Sequence, residues 1–176
     1  MKIRKFNFKK VNSTNNTAIR IIKNSNLNHG MIISEIQKKG KGQYGKKWIS
    51  YRGNLFVSFF FNLDQINLTL KKLTKINYLL VKRLISSFCK KKIIFKNPND
   101  LLISNKKICG ILQETIIINN RNYLVVGIGV NIVKSPNIKH YQTTNLSEVV
   151  GKKIDYKLVA NLLRLIFEKN LLKYYK

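Results

Sequence analysis

The sequence predicts an α+β domain with a mixed, mostly antiparallel sheet and helices packed on one face. The second half of the chain contains apolar, β-branched runs joined by short polar turns, which are typical of β-hairpins. Two long segments, 68–88 and 156–175, instead carry apolar residues at helical spacing. Strands grouped in hairpins and separated from the helices favour an α+β class over alternating β-α units.

In the first half, three strands and a short helix are expected before the first long helix. Apolar runs rich in Ile, Val and Phe predict strands at 3–11, 31–36 and 54–61. The short helix is expected over Thr17–Ile22, because it follows the good N-cap residues Ser13, Thr14, Asn15 and Asn16. The segment 38–47 is rich in Gly and Lys and predicts a loop.

The second half predicts a strand at 93–96, stopped by Pro98, and then a three-stranded meander. The meander comprises 101–104, 107–118 and 123–132, with turns at Asn105-Lys106 and at 119–122. An irregular connection at 134–144 leads to the terminal helix. That helix offers an apolar stripe for packing, formed by Leu158, Leu162, Leu165, Ile166 and Leu172.

The length suits one domain, which we expect to occupy residues 1–176. The 34 Lys and Arg residues outnumber the 7 Asp and Glu residues, giving a formal charge of +27, and 28 of the 34 are Lys. Asn and Ile are abundant too, as an A- and T-rich coding sequence would produce, and the lysines are spread along the whole chain. The charge still favours anionic ligands and acidic partners.

Several classes of protein are disfavoured by the sequence. A transmembrane helix is not predicted, because the longest uncharged apolar runs are too short, and the N-terminus lacks the apolar core of a secretory signal. Cys89 and Cys109 are too few for a disulfide framework and lack metal-ligand spacing. We therefore expect a cytoplasmic protein without a membrane association.

The loop from Gly40 to Trp48 is the first of four polar clusters. Its three glycines let backbone N–H groups approach an anion closely, and Lys41, Lys46 and Lys47 add positive charge. A flexible surface turn would explain the same composition. The segment is not a P-loop, because Gly-Lys-Ser/Thr does not occur at the required spacing.

Two further clusters each permit a structural and a functional interpretation. Ser13-Thr14-Asn15 either caps a helix or faces a polar ligand, and the two roles are compatible. Gly127 and Gly129 lie within a predicted strand, where glycine marks either a bulge or a close approach. Asn131 at the end of the same run needs hydrogen-bond partners if it is buried.

The fourth cluster is the most informative part of the chain. Lys96-Asn97-Pro98-Asn99-Asp100 places an amide and a carboxylate after a short strand, and Lys107 then enters an apolar strand that contains Gly110. Asp100 capping a hairpin and Lys107 lying on the surface would be the structural alternative. The apolar surroundings of Lys107 instead favour a cation that acts strongly on a nearby phosphate.

Taken in the order in which they occur along the chain, these four clusters resemble the biotin protein ligase family. In that family a Ser-Thr-Asn motif is followed by a Gln, a Gly-Arg-Gly-Arg-Arg-Gly loop ending in Lys-Trp, a Lys-Trp-Pro-Asn-Asp segment, a Lys-Leu-Ala-Gly-Ile-Leu-Glu strand and a Gly-x-Gly-x-Asn strand. Here the motifs read Ser13–Asn15, Gln37, Gly40–Trp48, Lys96–Asp100, Lys107–Glu114 and Gly127–Asn131. The resemblance extends from about residue 3 to residue 175.

The resemblance implies a biotin–[acetyl-CoA-carboxylase] ligase with ATP and biotin as substrates and Mg²⁺ as cofactor, on a class II synthetase-like fold. It implies that Lys107 is catalytic. The biotin-binding residues would be Ser13, Thr14, Asn15, Gln37, Gly40, Lys41, Gly42, Gln43, Lys107 and Gly110. The ATP-binding residues would be Lys46, Trp48, Lys96, Asn99, Asp100, Lys107 and Asn131, with Asp100 also a candidate Mg²⁺ ligand.

The chain departs from the family pattern in the glycine loop and in the Pro-Asn-Asp segment. Lys41, Gln43 and Lys46 replace loop arginines, and Asn97 replaces the Trp of the Pro-Asn-Asp segment. Lysine keeps the charge but loses the bidentate fork of arginine, whereas Gln43 loses the charge itself. These changes bear on how tightly the loop retains an adenylate.

The implied partner is a biotin carboxyl carrier protein. The family resemblance gives this chain a catalytic domain only, so we expect neither an N-terminal helix-turn-helix nor a C-terminal barrel, and no specific DNA binding. A homodimer paired through exposed strand edges is compatible with the sequence.

Two alternatives stay open at this point. Lipoyl and octanoyl transferases resemble the same family, although their Arg-Arg-x-x-Gly-Gly-Gly motif is absent from the sequence. A non-catalytic protein that binds polyanions through its charge of +27 is the other.

Overall fold

A computed structural model describes residues 2–171 and Tyr174. Its strands are β1 (Lys5–Phe8), β2 (His29–Ser34), β3 (Leu55–Asn62), β4 (Ile93–Lys96), β5 (Asp100–Ile103), β6 (Lys106–Ile118) and β7 (Arg121–Val130). Its α-helices are α1 (Thr14–Lys23), α2 (Leu70–Ser86), α3 (Leu146–Val150) and α4 (Tyr156–Asn170). Within the described residues, no helix is long and apolar enough to cross a membrane.

The seven strands form one sheet in the order β1-β2-β3-β7-β6-β5-β4. Only β1 and β2 pair in parallel, and the other neighbours are antiparallel. The predicted meander is present and includes β4. Its two tight turns, Ser104-Asn105 and Asn119-Asn120, have positive φ at both central residues, as a type I′ hairpin requires and as Asn tolerates. The α+β class with a mostly antiparallel sheet is therefore confirmed.

The two faces of the sheet carry different helices. Phe59 and Phe61 of β3 stack on Phe167 of α4, with ring centroids 4.1 and 6.3 Å apart, in the core that also contains α2. On the opposite face, Phe60 packs in a second cluster with Ala18 and Ile22 of α1. The expectation that all helices lie on one face is thus wrong for α1. The physical reason is that every residue of β3 is buried, so both faces of that strand need a cover.

Several elements differ from the prediction in their bounds, including the first turn of the meander, which lies at Ser104-Asn105 and not at Asn105-Lys106. α1 begins at Thr14, within the run of predicted cap residues, and continues to Lys23. The short helix α3 was not predicted, although Asn145 and Glu148 form a recognisable N-terminal cap, with the Asn145 side chain accepting from the Glu148 N–H at 2.9 Å. α4 ends at Asn170, and the predicted positions Leu172 and Tyr175 lie outside the described residues.

Candidate active site

A cavity of about 550 Å³ lies on the sheet face that carries α1, away from α2 and α4. Its floor is formed by β6 and β7, and its walls by the start of α1, the loop at 40–48 and the segments 96–100 and 138–141. All of the predicted site residues border this cavity except Gly40 and Asn131. The fold therefore brings together residues that are more than 100 positions apart in the chain.

One end of the cavity is polar and uncharged. The backbone N–H and the hydroxyl of Thr14 both donate to Gln37 Oε1, at 2.8 and 3.1 Å. Ser13 is the N-cap residue of α1, but its side chain makes no capping hydrogen bond. The buried hydroxyls of Ser13 and Thr14 and the carboxamide of Gln37 thus offer a group of donors and acceptors for a polar ligand.

Asn15 is held in place from two sides. Its Nδ2 donates to Glu114 Oε2 at 2.5 Å, and its Oδ1 accepts from the Ser58 hydroxyl at 2.5 Å. A Cβ at Gly127 would collide with this carboxamide, so glycine is required there. The network fixes the first turn of α1 against the sheet.

Trp48 lies flat on the glycines of the floor. A Cβ on Gly129 would be 2.5 Å from the indole ring, and one on Gly110 would be 2.7 Å from it. β7 stays in register with both neighbours through these positions, so the bulge interpretation of its glycines is wrong and close approach is confirmed. Gly110 is among the predicted biotin-binding residues, and the space above it is filled by Trp48.

The other end of the cavity is charged. Lys107 Nζ lies 2.7 Å from Asp100 Oδ1, and the two side chains are only 18% and 13% exposed. Lys107 Nζ also lies 5.3 Å from the centroid of the Trp48 ring, which is within the range of a cation–π contact. This ion pair holds a partly desolvated cation beside the floor, where it acts strongly on an anion.

Cys109, two residues along β6, is not a candidate nucleophile. It is fully buried in the core, and burial raises the pKa of its thiol. Covalent catalysis through this cysteine is therefore disfavoured.

The loop from Gly40 to Trp48 folds back on itself over the cavity. The Gly42 N–H donates to the Lys46 carbonyl at 2.7 Å, and the Trp48 N–H donates to the Gly40 carbonyl at 2.9 Å. Gly40 does not border the cavity; a Cβ there would be 2.5 Å from the Trp48 carbonyl, so its role is to let the loop close. Tyr44 at the tip is 83% exposed and adopts a left-handed φ of 55°.

Asn131 lies behind the site, which differs from its predicted contact with ATP. It is buried, its Nδ2 donates to the Thr144 carbonyl at 3.2 Å, and its carbonyl accepts from the Leu146 N–H at 2.9 Å. The chain that follows β7 supplies a partner for the Asn131 Nδ2, whereas the buried Oδ1 has no hydrogen-bond partner among the described residues. Asn131 thus anchors the connection at 133–145.

The described residues do not form a protein-bound metal site. Both oxygens of the Asp100 carboxylate are engaged, one by Lys107 and the other by the Tyr141 hydroxyl at 2.5 Å. Among these residues there is also no cluster of three His, Cys, Asp or Glu side chains suited to a metal. A Mg²⁺ contact of Asp100 therefore stays a prediction, and it would require one of these two partners to leave.

Sequence reasoning missed several residues of the site. Tyr141 was placed in an irregular connection, and nothing in the local sequence indicates that it reaches Asp100. Glu114 had a detectable signal, because alternation along β6 places it on the same face as Gly110 and Leu112. Tyr44 and Lys47 also border the cavity, within the loop that was predicted as a whole.

Known proteins share both the sequence pattern and the fold. The model of the biotin/lipoate A/B protein ligase family matches residues 8–131. The bifunctional ligase/repressor BirA of Bacillus subtilis is 30% identical over 166 residues, which cover 90% of this chain and 51% of that protein. The chain thus spans about half the length of the curated relatives it matches.

Two solved structures extend the likeness to the whole fold. Biotin protein ligase from Aquifex aeolicus, in complex with biotin and ATP, has a TM-score of 0.80 at 28% identity and covers 98% of this chain and 72% of its own. The Leishmania major enzyme in complex with biotinyl-5-AMP has a TM-score of 0.85 at 21% identity, covering 98% of this chain and 76% of its own. The chain belongs to the biotin/lipoate A/B protein ligase family and has the fold of a biotin protein ligase catalytic domain.

Proposed function

We propose that the chain activates biotin with ATP and attaches it to a lysine of a biotin carboxyl carrier protein. In the first step, a carboxylate oxygen of biotin attacks the α-phosphorus of ATP, and pyrophosphate leaves with the electron pair of the broken P–O bond. In the second step, the neutral amine of the carrier lysine attacks the acyl carbon of biotinyl-5′-AMP. AMP leaves, and the new amide nitrogen loses a proton.

The observation that carries this proposal is the Lys107–Asp100 ion pair in a cavity whose other end carries Ser13, Thr14 and Gln37. The first step brings two anions into contact, so the site must offset their repulsion. A pre-positioned, partly buried ammonium does so by electrostatic stabilisation, which is strongest where water is excluded. The likeness to a biotin protein ligase with bound biotin and ATP supports the same assignment.

The two ends of the cavity suit the two substrates. Ser13, Thr14 and Gln37 would satisfy the N–H and C=O groups of the ureido ring, which cost free energy if buried unpaired. Lys46, Lys96 and Asn99 would contact the phosphates, and Trp48 would give the nucleotide an apolar wall. Lys41, Gly42 and Gln43 would close over the acid and the adenylate. We propose that Mg²⁺ enters with ATP on its phosphate oxygens, with no dedicated carboxylate cage.

Carrier labelling tests the proposal. The protein, labelled biotin, ATP, Mg²⁺ and a biotin carboxyl carrier domain are incubated together, and label on the carrier is measured with and without ATP. We expect label on the carrier that depends on ATP and that is lost when the carrier lysine is replaced by Arg. Absence of ATP-dependent label would refute a ligase function.

The family includes ligases of lipoate as well as of biotin, so a second experiment tests which of the two acids is the substrate. Unlabelled biotin and lipoate are added in turn as competitors against labelled biotin. We expect biotin alone to suppress labelling at micromolar concentration. Suppression by lipoate at equal concentration would move the assignment to a lipoyl ligase.

A further inference from the structure

Tyr141 is tied to the lysine of the site through both main chain and side chain. The Lys107 N–H donates to the Gln142 carbonyl at 2.9 Å, and the Lys107 carbonyl accepts from the Thr144 N–H at 2.9 Å. These bonds form a short parallel bridge between β6 and the connection that carries Tyr141. The backbone of Lys107 is therefore fixed to the segment that carries Tyr141.

The Tyr141 side chain supplies the second partner of the Asp100 carboxylate. Its hydroxyl donates to Asp100 Oδ2 at 2.5 Å, while Lys107 occupies Oδ1 at 2.7 Å. The ring also faces two cations, with Lys96 Nζ at 4.6 Å and Lys107 Nζ at 5.6 Å from its centroid. Burial and the nearby carboxylate both raise the pKa of Tyr141, so its hydroxyl remains a donor at neutral pH.

The ion pair creates a conflict for catalysis. Lys107 must turn toward the carboxylate of biotin and the α-phosphate, yet it is held by Asp100. If Lys107 left, Asp100 would remain as a carboxylate that is only 9% exposed, and an unpaired buried charge is costly. A second donor on the same carboxylate reduces that cost.

We propose that Tyr141 is a positioning residue that holds Asp100 and so releases Lys107 to the reacting anions. This inference rests on the proposed function. Tyr141 does not need to touch the reacting atoms, because it acts through the carboxylate. Without its hydroxyl, Asp100 would compete more strongly with the substrates for Lys107.

The test compares Tyr141→Phe with wild type in biotin-dependent exchange of pyrophosphate into ATP. We expect kcat to fall about tenfold, as for loss of one hydrogen bond to a charged group, with a small change in KM for biotin. Tyr123→Phe is the matched control. It removes the hydroxyl of a buried tyrosine near the start of β7, which donates to the Leu27 carbonyl and does not border the cavity, so wild-type exchange is expected.

Two readouts separate positioning from a general structural effect. In an Asp100→Asn background, Tyr141→Phe should have little further effect, because the carboxylate through which Tyr141 acts is gone. The defect of Tyr141→Phe should also fall on kcat, with KM for biotin nearly unchanged, whereas a general loss of structure would change both. A full tenfold loss in both backgrounds would overturn the proposal.

Failure of the inference is distinguishable from failure of the proposed function. Wild-type protein without biotin-dependent exchange would refute the function and the inference with it. Wild-type exchange that Tyr141→Phe leaves unchanged would refute only the role of Tyr141.

Discussion

At the scale of single residues, the site depends on side chains that glycine makes room for. Gly110 and Gly129 allow Trp48 to lie on the sheet, and Trp48 in turn packs beside the Lys107 ammonium. Gly127 does the same for Asn15 at the polar end. The two ends can therefore be disturbed separately by adding one methyl group.

We expect Gly129→Ala and Gly127→Ala to weaken the binding of different substrates. The first displaces the Trp48 ring and should raise the Kd for ATP about tenfold, whereas the second displaces Asn15 and should raise the Kd for biotin similarly. Calorimetric titration of each variant with each ligand measures the effect, and each variant is the control for the other. Equal losses for both ligands in both variants would contradict the division of the cavity.

The part of the site that was predictable from sequence is the part carried by local motifs. The start of α1, the glycine loop and the segment from Lys96 to Asp100 were each predicted as polar clusters, and they meet in one cavity. Tyr141 was unpredictable, because its contact with Asp100 depends on how a connection 41 residues later folds back. Trp48 above Gly110 was missed because a loop had to close over a strand.

At the scale of elements, α1 is the helix whose first turn borders the cavity. Among the described helices, it is the one that packs against β2, β3 and β7 on the cavity face, while α2 and α4 cover the other face. Sequence periodicity identified α2 and α4, and the N-cap residues identified α1. Their faces were not identified, since the side on which a helix packs depends on the two-sided burial of β3. The link between α1 and β6 through Asn15 and Glu114 is therefore a structural prerequisite for the polar end.

Glu114→Ala should loosen this link. The Asn15 amide loses its carboxylate acceptor, so we expect a stability loss of about 2 kcal/mol, as for a hydrogen bond to a charged group, and weaker binding of biotin. Urea unfolding and biotin titration check the two effects. Thr115→Ala, an exposed neighbour on the same strand, is the control and should show neither.

The register of β6 makes a separate prediction about thiols. Cys109 faces the core and the pKa of its thiol is raised by burial, so the reactive thiolate is suppressed in the folded state, whereas Cys89 is half-buried. Reaction with Ellman's reagent at pH 8 should titrate one thiol in the native protein and two in guanidinium chloride. Two rapidly reacting thiols in the native protein would contradict this register.

At the scale of the whole molecule, the positive charge is unbalanced because 34 basic residues outnumber 7 acidic ones. Among the described residues, Glu35, Asp100 and Glu168 form ion pairs, whereas Asp64, Glu114, Glu148 and Asp155 accept hydrogen bonds from uncharged groups. Most of the 34 basic side chains therefore face solvent without a neutralising acid nearby. Such a surface attracts acidic partners over long range. Dimerisation through the edge strands β1 and β4 stays a prediction.

Carrier modification should accordingly depend on salt. Raising NaCl from 50 to 500 mM should lower kcat/KM for the carrier about tenfold or more while kcat changes little, because screening slows the encounter. Steady-state labelling at several carrier concentrations measures both constants. The same ionic strength should leave kcat/KM for free, single-charged biotin much less affected, and equal sensitivity of both would contradict steering of the carrier.

The central claim is that Lys107 supplies the charge that lets two anions react. Biotin-dependent exchange of pyrophosphate into ATP measures that step without a carrier. Lys107→Ala should lower the exchange rate at least 100-fold, as for loss of a principal electrostatic contact. Lys106→Ala removes the exposed lysine next to it and should retain wild-type exchange. Exchange by Lys107→Ala at the rate of Lys106→Ala would contradict the claim.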